Sequence, residues 1–279
     1  MKESDWKYYN HAIISACAPH VIPDMELLVN RRIWKMGKYP LFVRWTEKFD
    51  CEEETQWWYV IKDSSFDILK LKSKRRYEIN KGLRNFDVKR INVEPYLDEL
   101  YSIELKAWNE YPLKYRPKVD ETEEKNRILN FKEGICFAAF SKEDNSVCGF
   151  AYLDIFKDYA DFVNLKVLPK CEKKGINAAI VYGILDYFNE MLEQGFYICD
   201  GSRALFHETA FQDYLEKYFG FRKAYCYLKI EYRPIIKIIV YILYPLRGIF
   251  RGKTKIGAKI KTVMEYEEII RMQEKIEGE

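Results

Sequence analysis

From residue 135 to residue 232 the chain alternates in an order that few folds accommodate. "GICFAAF" and "VCGFAYLDI" are apolar runs of strand length on either side of the polar turn "SKEDNS", and they predict a β-hairpin. "DFVNLKV" predicts a third strand, which Pro169 ends. After Gly175, the residues Ile176, Ala179, Ile180, Ile184, Tyr187, Phe188 and Met191 recur at helical spacing, so 175–193 predicts an amphipathic helix that Gly195 closes. "FYICD" (196–200) predicts a buried strand. "YLEKYFGFRKAYCYL" (214–228) predicts a short helix stopped by a left-handed cap at Gly220 and then the returning strands. The order is β-β-β-α-β-α-β. Its strand–helix–strand passage forces two parallel strands with a right-handed crossover. The fold class is therefore α+β, a mixed and mostly antiparallel sheet with flanking helices and a binding crevice at the strand ends.

The residues before this core predict three strands, in "LLVNRRIWKM", "YPLFVRWTE" and "TQWWYVIKD". "DSS" at 63–65 offers an N-cap for a helix over roughly 65–84, ended by Asn85. That helix carries Lys70, Lys72, Lys74, Arg75, Arg76, Lys81 and Arg84 against one acid, Glu78. Such runs usually form a solvated face, and contact with a phosphorylated donor, RNA or lipid head groups is the functional alternative. "FDVKRINV" alternates as a strand, and Pro95 opens a helix with Leu97, Leu100, Tyr101 and Trp108 on one face. "NEYPLKYRPKVDETEEKN" is the expected mobile flap. Three regions result: strands and a basic helix over 1–134, the core over 135–233, and a basic amphipathic tail over 234–279.

The net charge of +3 gives no overall nucleic-acid signature, but its distribution is uneven. Residues 232–264 hold eight basic side chains and no acid, whereas 265–279 hold six acids and two bases. "IIKIIVYILYPLRGIF" (235–250) is too short and too interrupted to span a bilayer, and with the basic stretch to Lys261 it fits an interfacial helix on anionic lipid. Docking on the protein's own sheet or on a partner subunit is the equal alternative. The seven cysteines are scattered with no Cys-x-x-Cys pair, and three histidines offer little to a metal, so reduced structural thiols and no metal site are expected. The first twenty residues lack the apolar core of a signal peptide, which predicts a cytoplasmic protein, peripheral on the inner face of the membrane if the 235–261 tail meets lipid.

"CDGSRALFHET" lies at the carboxyl end of the 196–200 strand, where open sheets place their chemistry. There Asp200 can orient an acceptor or take its proton, Ser202 and Arg203 can bind an anionic or sugar group, and His207 can act as general base. The bland alternative is an Asp-Gly-Ser turn and a packed histidine.

The order of elements, with a helix starting after the third strand of the group, resembles the GNAT acyltransferase superfamily. That family binds acyl-CoA pyrophosphate on a Gln/Arg-x-x-Gly-x-Gly/Ala loop at the helix start. Here the aligned residues are Glu172, Lys173, Lys174, Gly175, Ile176, Asn177 and Ala178. The glycine matches, the small residue Ala178 comes one position after the motif's last, and Glu172 departs. The resemblance implies donor binding by Lys173, Lys174, Gly175, Asn177 and Ala178, and an oxyanion site at backbone N–H groups from Asn164 to Lys166. It also implies a tyrosine acid near Tyr214 or Tyr218, although the family spacing falls on Glu216; of the two, Tyr214 is the candidate. "RRYEINKGLRNFDVKRI", "YLDELYSIELKAWNEY" and "GFYICDGSRALFHETAFQDYLEKYFGFRKAYCYL" are most similar to the Fem-like branch, the peptidoglycan bridge aminoacyltransferases.

What this implies is an acyltransferase moving an acyl group from acyl-CoA or acetyl-CoA to an amine or hydroxyl. The acceptor is a small molecule or a lipid-linked one such as a cell-envelope glycan or lipid precursor. Two alternatives stand beside it. One is an aminoacyl-tRNA donor, less favoured because the coiled-coil arm of some tRNA-using members is absent. The other is a catalytically degenerate GNAT-fold domain that binds a membrane or a partner.

Overall fold

The computed structural model describes residues 5–113, 116–205, 210–249 and 255–278. Its strands are β1 (Trp6–Tyr9), β2 (Ala12–Ser15), β3 (Phe42–Glu47), β4 (Trp58–Lys62), β5 (Phe86–Ile91), β6 (Ile135–Ser141), β7 (Val147–Ile155), β8 (Tyr159–Val167), β9 (Tyr197–Ser202), β10 (Arg222–Tyr225) and β11 (Tyr227–Tyr232). The α-helices are α1 (Glu26–Val29), α2 (Ser73–Asn85), α3 (Leu97–Asn109), α4 (Glu121–Leu129), α5 (Pro169–Glu172), α6 (Ile176–Leu192), α7 (Ala210–Phe219), α8 (Pro234–Leu243) and α9 (Lys255–Gly278). The described residues divide into two compact units. One draws on 1–60, 202–209 and 223–279, the other on 61–201 and 210–222.

The first unit is built on a sheet of order β1-β2-β3-β11. β1 and β2 form a hairpin across Asn10 and His11, both left-handed at φ 47° and 63°. A two-residue turn of that shape favours Asn-Gly, so the Asn-His pair hid the hairpin from sequence inspection. β3 runs parallel to β2 and antiparallel to β11. Alternate side chains feed two faces: Trp6, Ile13, Ile33 and Val43 form one buried cluster, and Ala12, Phe42, Tyr232, Val240 and Met264 form another.

One expected strand is corrected here. Residues 27–36 form α1 and a 3-10 turn over Arg32–Lys35, separated by Arg31 in the left-handed region. Leu27, Leu28 and Trp34 pack against the first cluster from this bent path, so burial is achieved without strand pairing.

In the second unit the strands run in the order β9-β8-β7-β6-β5, antiparallel except for the β8–β9 pair. The β8–α6–β9 passage supplies the expected parallel unit. On β6, Phe137 faces Phe188 of α6, while Phe140, of opposite parity, meets Tyr96 just before α3. Helices thus cover both faces.

The basic helix starts later than the sequence predicts, at Ser73 rather than near 65. Lys62 donates to the Ser64 hydroxyl at 2.7 Å, and Asn189 holds the Phe66 backbone by two bonds, from Phe66 N–H at 2.6 Å and to Phe66 C=O at 3.0 Å. The "DSS" cap is thereby spent on a turn. Asp67 then caps a single 3-10 turn through Leu69 N–H. Of the expected flap, Lys114 and Tyr115 lie outside the described residues. Its far end is ordered as α4, capped by Asp120 on Glu123 N–H at 2.9 Å.

Candidate functional site

β8 and β9 pair for only three residues, Tyr159 with Tyr197, Ala160 with Ile198 and Asp161 with Cys199. β8 then continues to Val167 and β9 to Ser202 without a further register pair between them. Parallel strands that diverge leave backbone donors and acceptors facing a notch. Beyond Asp161 the β8 strand also carries a bulge. Tyr152 opposes Asn164 and Leu153 opposes Phe162, so Val163 is the extra residue and is turned outward.

Asp200 stands at the first position of β9 beyond the last pair. Burial pushes its carboxyl up to about 7, and the charge of Asp161 adds to the rise. Gln212 of α7 donates to the Asp200 carbonyl at 3.0 Å and ties the helix to this strand end. α7 packs aromatic rings on β8: Phe211 lies 5.6 Å from Phe162, and Tyr214 packs against Phe211, Tyr218 and Phe219. Burial, with the neighbouring Tyr218 and Glu78, raises the Tyr214 phenol, so it keeps its proton at neutral pH.

Asn164 is fixed from below. Its amide donates at 2.6 Å to Glu104, a fully buried carboxylate on α3. Arg127 of α4 grips both Glu104 oxygens at 2.7 Å and pairs also with Glu124. Burial raises the Glu104 carboxyl, and its hydrogen bond with Glu124 acts in the same direction. The cluster therefore holds the bulged part of β8 by charge-assisted bonds. Two residues on, Lys166 donates to the Tyr111 hydroxyl at 3.0 Å.

The candidate residues thus fall into separate places. Asp200, Tyr214 and Asn164 belong to the second unit, around the β8–β9 divergence. Ser202 and Arg203 belong to the first unit. There the Arg203 N–H donates to Trp58 C=O at 2.8 Å, and its guanidinium donates to Gln56 C=O at 2.5 Å and lies over the Trp58 ring. His207 lies outside the described residues.

The proposed donor loop, also in the second unit, is close-packed. Gly175 is left-handed at φ 84°, and a Cβ there would come within 2.9 Å of the Gly82 nitrogen on α2. Reciprocally, a Cβ on Gly82 would meet the Gly175 carbonyl at 2.3 Å. Lys174 N–H and Gly175 N–H are bonded within the loop, to Cys171 and Glu172, and Asn85 donates to the Lys174 carbonyl at 3.1 Å. Ala178 is buried, Lys173 is exposed, and the buried Asn177 Oδ1 accepts no hydrogen bond. A polar cleft of about 430 Å³ opens beside the loop, lined by Arg84, Lys142, Lys170 and Lys174 among others.

Sequence inspection passed over Asp161, Gln212, Lys62, Glu104 and Arg127. Glu104 was legible, because it falls four residues after Leu100 and seven after Leu97, on the apolar face of α3. Lys62 closes a strand of otherwise apolar residues, is 3% exposed, and has its ammonium pKa lowered by burial. Nothing in its sequence context marks it. Among the described residues, no group of three His, Cys, Asp or Glu side chains is placed to hold a metal ion, and no helix is long and apolar enough to cross a membrane.

No protein-family model matches the chain, and no curated protein matches it in sequence. Solved structures do resemble it. L-PGS of Bacillus licheniformis superposes with a TM-score of 0.51 at 13% identity, covering 85% of this chain and 83% of that one. The C-terminal domain of a putative lysylphosphatidylglycerol synthetase from Agrobacterium fabrum gives 0.53 at 10% identity, with 85% and 82% coverage. A Bacteroides thetaiotaomicron protein of unknown function gives 0.50 at 12% identity, with 78% of each chain covered. At these identities the likeness concerns fold, and the chain has a GNAT-like mixed α+β fold with mostly antiparallel sheets, flanking helices and a C-terminal helix.

Proposed function

We propose that the protein is a transferase that moves an acyl or aminoacyl group from an activated donor to an amine or hydroxyl acceptor at the β8–β9 notch. The observation that carries this reading is the Asp200 carboxyl, seated where the strands diverge and raised to about 7. A base of that strength is half ionised near neutral pH and can take the proton of an attacking amine or hydroxyl. As the acceptor attacks the donor carbonyl, negative charge develops on its oxygen. N–H groups on the diverging edge from Asn164 to Lys166 are suited to receive it. Tyr214, kept protonated, can supply a proton to the leaving group. The bond to the acceptor forms as the donor ester or thioester bond breaks, and no outside redox partner is needed.

For the donor, the contact between Gly82 and Gly175 favours an aminoacyl-tRNA. α2 packs directly on the loop at Gly175, and two of the loop's N–H groups are already bonded. The fold shared with a putative lysylphosphatidylglycerol synthetase along four-fifths of both chains is consistent with an aminoacyl group and a lipid-linked acceptor. Acyl-CoA is the second reading, supported by the helix start at Ile176 and by exposed Lys173 and Lys174.

The test offers each donor to the full chain. Acetyl-CoA and longer acyl-CoAs are screened by thermal shift, because a ligand that binds only the folded state raises Tm. Charged tRNA is measured by filter binding at about 0.05 and about 0.3 M salt, where phosphate contacts predict a steep loss. The donor that binds is then assayed for acyl transfer with wild type and Asp200→Asn. Binding of neither class, or transfer undiminished in Asp200→Asn, overturns the proposal.

A further inference from the structure

α8 has two apolar faces, and only one of them is used. Ile236, Val240, Leu243 and the following Tyr244 turn into the buried cluster of Ala12, Phe42, Tyr232 and Met264. On the other side Ile235, Ile238, Ile239 and Ile242 are 43% to 61% exposed, and the stripe continues past the helix through Leu246 and Ile249, at 49% and 71%. Spacings of three and four residues place the four isoleucines in one band on α8, and Leu246 and Ile249 follow on the 3-10 turns over Tyr244–Ile249. An isolated exposed isoleucine needs no explanation, but four along one helix followed by two more exposed aliphatic residues do.

We infer that this band is a docking face for an anionic phospholipid bilayer, with α8 lying in the plane of the interface. Charge selects this occupant over a second protein. Residues 232–264 contain eight basic side chains and no acid. Of these, Lys237 is exposed on α8 itself and Lys259 is exposed on α9, whereas Arg247 is paired with Glu268 at 2.7 Å. Lysines beside an aliphatic band can lay their methylene stems along the hydrocarbon and keep the ammonium among phosphates. Tyr241, 74% exposed on the flank of the same helix, has the amphipathic ring suited to the head-group layer. The ten residues of α8 are far too few to span the membrane, so binding is reversible and lies in the interface plane. The inference stands apart from the transferase proposal, since it uses none of the residues at the notch.

Co-sedimentation of the full chain with vesicles tests it. Vesicles with about 30% phosphatidylglycerol or phosphatidylserine in phosphatidylcholine are expected to bind the protein alike, and pure phosphatidylcholine at least about tenfold more weakly. Binding to the anionic vesicles should weaken several-fold as salt rises from about 0.05 to about 0.5 M. Ile238→Glu with Ile242→Glu should cost at least about tenfold in vesicle affinity. Lys237→Gln with Lys259→Gln should cost less and flatten the salt dependence. All four positions are exposed, so each variant should keep the wild-type circular dichroism and melting temperature, which is checked first. Absence of binding to anionic vesicles, equal binding to neutral ones, or a lipid-free dimer that Ile238→Glu with Ile242→Glu converts to monomer would overturn the inference; the last would assign the band to a second copy.

Discussion

The strand-end notch at Asp200 and the loop at Gly175 both belong to the second unit, and both have the residue types of a ligand site. They differ in what the backbone does with its hydrogen bonds. At the notch, β8 and β9 pair no further than Asp161 and Cys199, and a near-neutral carboxyl stands at the next position of β9. At the loop, Lys174 and Gly175 bond back to the preceding turn, Asn85 donates to the Lys174 carbonyl, and Gly82 packs against the glycine itself. A glycine at a helix start therefore has two causes, close approach of a ligand or close approach of another helix. Here packing is sufficient cause.

The sharpest way to break this contrast is to remove the base. Asp200→Asn should lower transfer by about 10²- to 10⁴-fold, measured as product formed per time, with the fold intact. Its stability should also change with pH in a defined sense. The folded carboxyl holds its proton up to about 7, whereas the unfolded one releases it near 4, so between these values the native state binds more protons. Wild-type stability should fall as pH rises through that window and level off above it. In Asp200→Asn the fall should be absent, which urea denaturation at pH 5 and pH 8 would reveal.

Next in size is the effect of crowding the loop. Gly175→Glu puts a side chain on a left-handed residue and against the Gly82 backbone, and should cost about 3 kcal/mol or more in urea unfolding. Gly82→Ala should also destabilise, because its Cβ would meet the Gly175 carbonyl. Unchanged stability in both would mean that the helices are not packed as described and would return the loop to ligand binding.

Smaller again is the support beneath the bulge. Arg127→Met leaves Glu104 buried with only Asn164 and Glu124 as partners, and should cost about 2 kcal/mol, less than for a wholly buried pair because the arginine is 41% exposed. If Asn164 helps to shape the notch, kcat falls as well, and a change confined to stability would limit the cluster to a structural part. The smallest effect belongs to the exposed cations. Lys173→Ala with Lys174→Ala should change stability by less than about 0.5 kcal/mol. A rise in KM for acyl-CoA in that variant would favour the thioester donor over tRNA.

Much of the second unit was legible because each element carried a local signal in agreement with its neighbours. The 3.6-residue recurrence from Ile176 to Met191, the polar turn between β6 and β7, and the apolar run at β9 all gave elements within a residue or two of those observed. Two kinds of feature were not. Long-range capture of a local group escaped notice, as when Lys62 and Asn189 redirect the Ser64 and Phe66 region and shorten α2. So did strained turns built from unusual residues, such as Asn10–His11. At the notch, Asp200 could be chosen from its place at a strand end. Asp161, which helps raise its carboxyl, is thirty-nine positions earlier and meets it only through the parallel pairing of β8 with β9.

The pairing of β3 with β11 joins Phe42 to Tyr232. The first unit consequently draws on both ends of the sequence, with the whole of the second unit encoded between them. During synthesis β3 leaves the ribosome with its partner strand still untranslated, and its apolar face must wait for most of the chain to follow. Contacts of such high sequence separation close late and slowly. A truncation before Tyr227 would strand β3 with an open edge, so removing the last fifth of the chain should cause aggregation rather than release a compact N-terminal fragment.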